Sequence, residues 1–440
     1  MNNERGERRL GKPNVIIIYC DDLGYGDLGC FGSKTMKTPY LDQLAKEGVR
    51  FTNWYSNSPV CSPSRAALLT GKHPYKTGVS QILGGKRGTE GLPTSQITLA
   101  KRLKEEGYAT GLFGKWHLGV TPENSPNAHG FDEFFGFLAG CVDYYSHIFY
   151  WQQANGVNPV HDLWHNEKEV WDNGSYLTEV ITEKATQFIK EHAEDPFFLY
   201  VPYNAPHYPM HAPQHYLDRF PDLPPEQRIM AAMIAAVDDG VGEIVKTLRS
   251  IDKYEDSIIF FSSDNGPSTE SRNYLDGTET PYFGGSAGQF RGHKGSLFDG
   301  GIREPAILSY PRVIPGGQVC DEVGMMMDIA PTLSAICGVD DHELQDMDGE
   351  NILSMVTERA ESPHQQAFWE YSGQLAVREG KWKLVKDGML DFDRKVADSL
   401  HLSDMEADPG EQKNLVDQYP DLAARLERDL EAWSIEIGVL

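Results

Sequence analysis

Four short apolar runs in the sequence are each followed at once by side chains that can bind ions or exchange protons. The runs are Val15–Cys20, Ala109–Gly114, Phe197–Val201 and Ile258–Ser263. Short continuous apolar runs of this kind are typical of strands that are buried on both faces of a parallel sheet. Such sheets bind ligands beyond the carboxyl ends of their strands. The pattern therefore predicts both a parallel sheet and a binding site at the ends of these strands.

The polar residues that follow the runs share one predicted position, the edge of the sheet. They are Asp21 and Asp22, Lys115 and His117, Asn204 and His207, and Asp264 and Asn265. If the four strands are parallel neighbours, these side chains converge. The Asp pair and the Asp-Asn pair offer hard oxygen ligands, which suit Ca²⁺ or Mg²⁺ better than zinc or copper. Either pair alone is equally consistent with ordinary turn residues, but the two together favour a metal site.

Segments with helical spacing lie between and beyond the runs, at Pro39–Lys46, Ile97–Glu106, Tyr176–His192 and Met230–Ser250. This alternation predicts an α/β fold with a large mixed, mostly parallel sheet flanked by helices. After about Gly338 the pattern changes to a predicted hairpin, Gln374–Val377 with Lys381–Val385, and a closing helix at Leu422–Trp433. We therefore predict a catalytic α/β domain over residues 1–340 and a C-terminal subdomain, with a small antiparallel sheet and a terminal helix, over residues 341–440.

The chain is acidic, with 40 Lys and Arg against 65 Asp and Glu and a net charge of −25. Such a charge disfavours nucleic acid and anionic membranes as partners, and any anion site must be locally positive. No apolar run approaches the roughly 18 residues of a membrane span, and the polar start lacks the core of a signal peptide. We expect a cytoplasmic protein, or a secreted or periplasmic one if a leader has been removed. The six scattered cysteines do not indicate a disulfide framework.

The segment Cys61-Ser-Pro-Ser-Arg65 predicts a helix, because Pro63 suits a first helical turn and Gly71 suits a helix end. Cys61 would then lie at the helix N-terminus, where free N–H groups and the dipole favour negative charge. Arg65, one turn later, could face the same anion. From these residues alone, Cys61 could also be a buried structural cysteine or a low-pKa thiol nucleophile that works with a histidine.

The same segment resembles the C-x-P-x-R signature of type I sulfatases, a family of the alkaline phosphatase superfamily whose signature cysteine is oxidised to formylglycine. Further segments resemble the other motifs of this family, in the family's order: Asn14–Gly29, Thr70–Pro74, Gly114–Gly119, Asn204–His207, Asp264–Gly266, Gly292–Gly295 and Gly300–Arg303. The resemblance extends over nearly the whole chain. It implies an alkaline-phosphatase-like fold and the hydrolysis of sulfate esters.

The resemblance also implies a role for each matching residue. The implied ion is Ca²⁺, with Mg²⁺ as an alternative, and its implied ligands are Asp21, Asp22, Cys61, Asp264 and Asn265. Arg65 would stabilise the oxyanion of the hydrated aldehyde, and Lys115 and Lys294 would bind the sulfate oxygens. His207 would protonate the leaving oxygen, and His117 would take a proton from the second hydroxyl and so release sulfate. The modifying partner would be a formylglycine-generating enzyme or an anaerobic sulfatase-maturating enzyme.

The segment Phe131–His165 holds thirteen aromatic or histidine residues in 35 positions, Trp151 among them. It falls between two site motifs, where a loop could form a wall of the pocket, although many of its aromatic residues are equally consistent with a core. The stretch from Asp143 through Tyr145 to His147 is locally similar to N-acetylgalactosamine-4-sulfatases. That similarity implies that these three residues bind substrate, and that the substrate is a saccharide with sulfated galactose or N-acetylgalactosamine.

Two other functions are compatible with the sequence. The first is a phosphate or phosphonate ester hydrolase of the same superfamily. Two-metal phosphatases use Ser or Thr with a second set of Asp and His ligands, which the sequence does not clearly offer, but phosphonate ester hydrolases can share the cysteine signature. The second is a catalytically silent sugar-binding relative, which an unmodified Cys61 would give.

Overall fold

A computed structural model describes residues 11–150, 159–270, 283–391 and 395–439. Its strands, in chain order, are β1 (Asn14–Asp21), β2 (Val49–Tyr55), β3 (Ala109–Lys115), β4 (Glu133–Phe137), β5 (Ile148–Phe149), β6 (Val160–His161), β7 (Trp164–His165), β8 (Lys168–Glu169), β9 (Phe197–Pro206), β10 (Ser257–Ser263), β11 (Ala306–Ser309), β12 (Gln318–Met325), β13 (Ala367–Tyr371), β14 (Gln374–Glu379), β15 (Trp382–Met389) and β16 (Val396–Asp404).

The helices of the described residues alternate with these strands over the first two thirds of the chain. They are α1 (Pro39–Glu47), α2 (Cys61–Thr70), α3 (Pro74–Thr77), α4 (Leu99–Glu105), α5 (Leu177–Glu191), α6 (Gln214–Leu217), α7 (Pro225–Ser250), α8 (Asp299–Ile302), α9 (Ile329–Cys337), α10 (Asp341–Leu344), α11 (Leu353–Thr357) and α12 (Pro420–Glu436). Among these residues, none of the helices combines the length and the apolar character that a membrane span requires.

A ten-stranded sheet forms the centre of the large domain, in the order β12-β2-β11-β10-β1-β9-β3-β4-β7-β8. The four runs predicted as strands are β10, β1, β9 and β3, and they are neighbours. All three pairings among them are parallel. Strand β11 pairs antiparallel with both of its neighbours, so the sheet is mixed. The predicted fold class and the predicted convergence of the strand ends are therefore confirmed.

The central strand β1 is buried on both faces, which explains why its sequence is apolar without alternation. Its residues Ile16 and Ile18 contribute to one hydrophobic core, together with α5 and α7. Val15 and Ile17 contribute to a second core, together with α2, α4 and α9. Helices on both faces of the sheet thus hold its strands in place.

The C-terminal region contains a separate antiparallel sheet, in the order β13-β14-β15-β16. The predicted hairpin is β14 with β15, and the predicted terminal helix is α12, which packs on this sheet through Leu426 and Leu430. Trp369, by contrast, packs in a core with residues of the large domain such as Phe298. Residues 352, 355 and 356, around α11, belong to a core of the large domain, and the division of the chain at residue 340 stays a prediction.

Candidate active site

The polar residues at the ends of the four central strands lie together and are almost completely buried. Asp21 is the last residue of β1 and Lys115 the last residue of β3, whereas Asp264 directly follows β10. Asp22 and His117, which come after strand ends, have positive φ angles of 63° and 54°. Non-glycine residues rarely adopt this conformation, so the chain turns sharply where these two side chains must reach the site.

Cys61 is the first residue of α2 and is buried. Pro63 lies in the first turn, and Gly71 ends the helix in the left-handed region with a φ of 70°, as the sequence predicts. The Cys61 sulfur and one carboxylate oxygen each of Asp21 and Asp264 all lie within 4.8 Å of one another. The helix therefore brings the N-terminal partial positive charge and the cysteine to the end of the sheet.

Three cations pair with the three aspartates of the site, and all of these side chains are buried. Arg65 Nη2 lies 2.7 Å from Asp264 Oδ2 and 3.5 Å from Asp21 Oδ1. Lys115 Nζ lies 2.6 Å from Asp21 Oδ2. Lys294 Nζ lies 2.8 Å from Asp22 Oδ1. Three cations therefore offset three carboxylates, and a bound divalent ion would make the site positive within this acidic protein.

The oxygen ligands fit a hard cation. Asn265 donates through Nδ2 to Asp22 Oδ1 at 2.7 Å, but its Oδ1 atom is buried and has no hydrogen-bond partner among the described residues. A buried amide oxygen without a partner is costly unless an ion or water occupies the space before it. One oxygen each of Asp21 and Asp22 and a nitrogen of His207 also lie within 4.8 Å of one another. The carboxylate and amide oxygens of this group are the type of ligand that Ca²⁺ and Mg²⁺ prefer, whereas the His207 nitrogen is not.

Electrostatics at the site are dominated by burial and by the crowded carboxylates. Burial alone would raise the pKa of Asp21, but Lys115, His207 and Arg65 hold it below its ordinary value. Burial, and then Asp21, raise the pKa of Asp264 in spite of Arg65. Burial also raises the pKa of the Cys61 thiol. One carboxylate is therefore stabilised as an anion at the expense of its neighbour, and a divalent cation would relieve that conflict.

In each of the two site histidines one ring nitrogen is a hydrogen-bond donor, because a carbonyl oxygen can only accept a hydrogen bond. His117 Nε2 donates to the carbonyl of Leu83 at 2.9 Å, and its buried Nδ1 atom has no partner among the described residues. His207 Nδ1 donates to the carbonyl of Tyr208 at 2.7 Å, and its Nε2 lies 3.6 Å from Asp22 Oδ2. His117 therefore presents an acceptor at Nδ1, and His207 can exchange a proton at Nε2.

A cavity of about 470 Å³ opens onto this cluster, and Cys61, His117, His207 and Lys294 line it. The other lining residues are Gln81, Ile82, Leu83, Gly84, Gly85, Gly140, Cys141, Phe149, Tyr208, Glu270 and Tyr371. The strand-end pattern did not predict Tyr208, Glu270 or Tyr371 as site residues. Glu270 lies in the loop just after Asn265, so its nearness in sequence to a site residue is the one feature that could have predicted it. Tyr371 comes from β13 of the small sheet, and no sequence feature predicts that it lines the cavity.

The three residues predicted to bind substrate are not among the lining residues of this cavity. Asp143 accepts hydrogen bonds from the backbone N–H groups of Tyr145 and Ser146, both at 2.7 Å, and so stabilises a turn. Tyr145 packs against Tyr176, and His147 is buried with a φ of 56°. Their role in substrate binding stays a prediction. Trp151 lies outside the described residues.

Comparison with known proteins agrees with this geometry. Residues 13–339 match the family model "Sulfatase", and residues 288–436 match the model "N-sulphoglucosamine sulphohydrolase, C-terminal". Arylsulfatase J of Mus musculus is 33% identical over 475 residues, covering 97% of this chain and 76% of the relative. N-acetylgalactosamine-6-sulfatase of Homo sapiens is 34% identical over 357 residues, covering 78% of this chain and 65% of the relative.

Solved structures give the same result. The crystal structure of Ps i-CgsB in complex with k-i-k-neocarrahexaose has a TM-score of 0.84 and 34% identity, covering 98% of this chain and 94% of that one. The phosphonate monoester hydrolase of Agrobacterium radiobacter has a TM-score of 0.66 at 20% identity, and so shares the fold alone. Since the family model spans most of the chain and relatives above 30% identity cover nearly all of it, the chain belongs to the sulfatase family of the alkaline-phosphatase-like superfamily and is a sulfuric ester hydrolase.

Proposed function

We propose that this sulfatase removes O-sulfate from a carbohydrate of the galactose or N-acetylgalactosamine type, with a formylglycine made from Cys61 and a bound Ca²⁺. The observation that carries the proposal is the position of Cys61. It lies at the N-terminus of α2, beside Asp21 and Asp264, and lines the cavity together with His117, His207 and Lys294. The carbohydrate class is supported by relatives named as N-acetylgalactosamine-6-sulfatases and by the neighbour named with k-i-k-neocarrahexaose.

Burial of Cys61 disfavours a thiolate nucleophile, although Lys115 and Lys294 oppose this effect. Burial raises the pKa of this thiol, whereas reactive cysteines have a lowered pKa. A formylglycine at this position supplies, as its hydrate, an oxygen nucleophile instead of sulfur. The modifying partner is a formylglycine-generating enzyme or an anaerobic sulfatase-maturating enzyme.

Asp21, Asp22, Asp264 and Asn265 would hold the Ca²⁺, and residue 61 would complete the set. When bound, the ion supplies Lewis-acid stabilisation of the charge on sulfate oxygens. The unpartnered Oδ1 atom of Asn265 and the crowding of Asp21 and Asp264 support an ion at this place. Mg²⁺ is the alternative, and it demands more regular geometry than Ca²⁺.

The cations of the site bind and orient the sulfate group. Lys115 and Lys294 are buried and held by Asp21 and Asp22, so their ammonium groups are fixed before substrate arrives. Fixed donors of this kind stabilise charge that develops in the transition state without having to reorganise. Arg65, held by Asp264, stabilises negative charge on the oxygen of residue 61.

The two histidines move protons at different atoms. His207 protonates the leaving oxygen from Nε2 when its ring carries a proton on both nitrogens, because Nδ1–H stays bound to the carbonyl of Tyr208. His117 accepts a proton at Nδ1, because its Nε2 is engaged by the carbonyl of Leu83. These two fixed hydrogen bonds thus separate the acid from the base, and each such group contributes on the order of 10²–10⁴-fold to the rate.

Two measurements test the proposal. The first compares the hydrolysis of 4-nitrophenyl sulfate with that of its phosphate and phosphonate analogues, and we expect kcat/KM to show a clear preference for the sulfate. A preference for either phosphorus ester would favour a phosphoesterase instead. The second is mass spectrometry of the peptide that holds Cys61, which should be lighter than the cysteine form because CHO replaces CH₂SH.

A pair of cysteine variants tests the nucleophile directly. Cys61→Ala should lower kcat/KM by more than about 10³-fold, as the loss of other nucleophiles does. Cys141→Ala is the matched control, since Cys141 lines the same cavity but has no proposed role, and it should keep most of the activity. Full sulfatase activity of Cys61→Ala would overturn the mechanism, and an unmodified Cys61 in active protein would overturn the formylglycine.

A further inference from the structure

Glu270 is a carboxylate in a cavity that must accept an anion, and the mechanism above does not use it. Its side chain is 21% exposed, and its Oε2 lies 3.6 Å from Lys294 Nζ. Tyr208 donates a hydrogen bond through its hydroxyl to Glu270 Oε1 at 3.3 Å. Ser268 Oγ donates to Oε2 at 3.2 Å. The carboxylate is therefore fixed in the cavity wall by two donors.

The remaining lining of the cavity carries little charge. Apart from Lys294, the site histidines, Cys61 and Glu270, the described lining consists of Gln81, Tyr208, Tyr371 and small or apolar residues. The buried cations of the site are paired with its aspartates, Arg65 with Asp264 and Lys294 with Asp22. The described lining therefore holds no further lysine or arginine for a second anionic group on the substrate.

A second sulfate or a carboxylate on the same sugar would instead meet the negative charge of Glu270. Like charges brought close in a partly desolvated cavity repel each other, and such juxtaposition is a common source of specificity. A hydroxyl or an amide N–H has the opposite effect, because it can donate to the carboxylate in a charge-assisted hydrogen bond. The same side chain thus distinguishes uncharged from anionic substituents.

We propose that Glu270 is a specificity residue that selects a sugar carrying a single sulfate and otherwise uncharged substituents, one of which donates a hydrogen bond to the Glu270 carboxylate. Sugars with a second sulfate or a carboxylate on the same ring are rejected. The inference rests on the proposed function, because it assumes that the cavity holds the ring that bears the reacting sulfate.

The test measures selectivity, because Glu270 also contacts Lys294 and its loss can change all rates together. The substrates are N-acetylgalactosamine 4-sulfate, N-acetylgalactosamine 6-sulfate and N-acetylgalactosamine 4,6-disulfate, and kcat/KM is measured for the release of sulfate from each. The wild-type enzyme should prefer the better monosulfated sugar over the disulfated one by about 10-fold or more. Glu270→Gln keeps the shape of the side chain but removes its charge, and it should reduce this ratio to near one.

Three controls accompany the variant. Glu358→Gln makes the same chemical change at an exposed position that does not line the cavity, and it should leave the ratio unchanged. The turnover of 4-nitrophenyl sulfate, which has no second charged group, reports any general effect through Lys294. Thermal unfolding of Glu270→Gln should match that of the wild type, since the side chain is partly exposed.

The possible failures are distinguishable. If Glu270→Gln changes all substrates by one common factor, Glu270 merely balances the charge of Lys294 and the inference is wrong. It is also wrong if the wild-type enzyme hydrolyses the disulfated sugar as fast as the monosulfated ones. If the wild-type enzyme turns over 4-nitrophenyl sulfate but none of the three sugars, N-acetylgalactosamine fails as the proposed substrate, and the inference fails for this sugar with it.

Discussion

Arg65 Nη2 lies 2.7 Å from Asp264 Oδ2, and both side chains are fully buried. This ion pair connects the N-terminal part of α2 with the end of β10. It therefore holds the helix that carries Cys61 next to Asp264, a predicted metal ligand. A buried ion pair is weak evidence for net stability, but the removal of one partner leaves an uncompensated buried charge. Arg65 therefore connects the activity of the enzyme to its stability.

Substitutions of Arg65 should separate these two effects. Arg65→Met should lower the free energy of unfolding by about 3–5 kcal/mol and lower kcat/KM by about 10²–10³-fold. Arg65→Lys keeps the charge, so it should retain more stability, but one ammonium group cannot reproduce the two directed contacts of a guanidinium. Thermal unfolding and steady-state kinetics check both variants. Wild-type activity in Arg65→Met would contradict the role given to this residue.

Removal and return of the metal should change stability as well as activity. A ligand that binds the folded state at 100 times its Kd stabilises it by about 2.7 kcal/mol. Protein treated with a chelator should therefore gain thermal stability when Ca²⁺ is added, and less with Mg²⁺, which loses its water reluctantly. Asp264→Asn should abolish most of this gain, whereas the exposed control Asp321→Asn should keep it. If the thermal stability of the wild-type protein were the same without ions, with Ca²⁺ and with Mg²⁺, the proposed metal site would be excluded.

The pH dependence of kcat should reveal the state of His117. Burial, and then Lys115, hold the pKa of this histidine well below 6.5. A base with a lowered pKa stays neutral, and so competent, until the pH falls through that lowered value. We expect no acidic limb with an apparent pKa near the ordinary histidine value when kcat is measured between about pH 5 and 8.

A histidine variant provides the control for that profile. His117→Ala should lower kcat by about 10²–10⁴-fold over the whole range, while the exposed His342→Ala should follow the wild-type curve. An acidic limb near pH 6.5 that disappears in His117→Ala would show that His117 titrates normally. In that case the proton acceptor of the mechanism would need another assignment.

The sequence predicted the residues that follow buried strands, and the reason is physical. A strand covered on both faces must be apolar throughout, so the polar residue that ends it is conspicuous, and parallel neighbours bring such residues to one edge. Asp21, Lys115 and Asp264 were found in this way. Cys61 was placed at a helix start by Pro63 and Gly71, which are local signals.

The cavity wall could not be predicted by the same reasoning. Tyr371 reaches the cavity from the small sheet, and Glu270 lies in a loop, so both positions depend on tertiary packing rather than on local pattern. The sequence of segment 131–165 does not show which of its aromatic residues pack in the core and which line the cavity. Phe149 lines the cavity, whereas Tyr145 packs against Tyr176. Aspartates in turns and aspartates that bind ligands look alike in sequence.

A buried charge network joins the large domain to the small sheet. Lys383 Nζ lies 2.6 Å from Asp299 Oδ1 and 3.1 Å from Glu411 Oε1, and all three side chains are fully buried. Burial raises the pKa of Glu411 to about 7, with Asp299 adding to the shift and Lys383 opposing it. One lysine is thus shared between two carboxylates, and the Glu411 carboxylate is protonated more readily than an ordinary glutamate.

This network predicts how stability changes with pH. Between the ordinary glutamate value of 4.5 and about 7, folded Glu411 keeps a proton that the unfolded chain has lost. The contribution of Glu411 to the free energy of unfolding therefore falls by about 1–3 kcal/mol as the pH rises through this window. Above the window it is constant.

The variant Glu411→Gln tests this prediction. It cannot titrate, but it keeps an oxygen for the N–H of Asp299. The loss of thermal stability between about pH 5 and about pH 8 should therefore be smaller in this variant than in the wild type, whereas the exposed Glu406→Gln should show the wild-type loss. Equal losses in all three proteins would mean that Glu411 is already ionised at the lower pH, and that Lys383 balances both carboxylates.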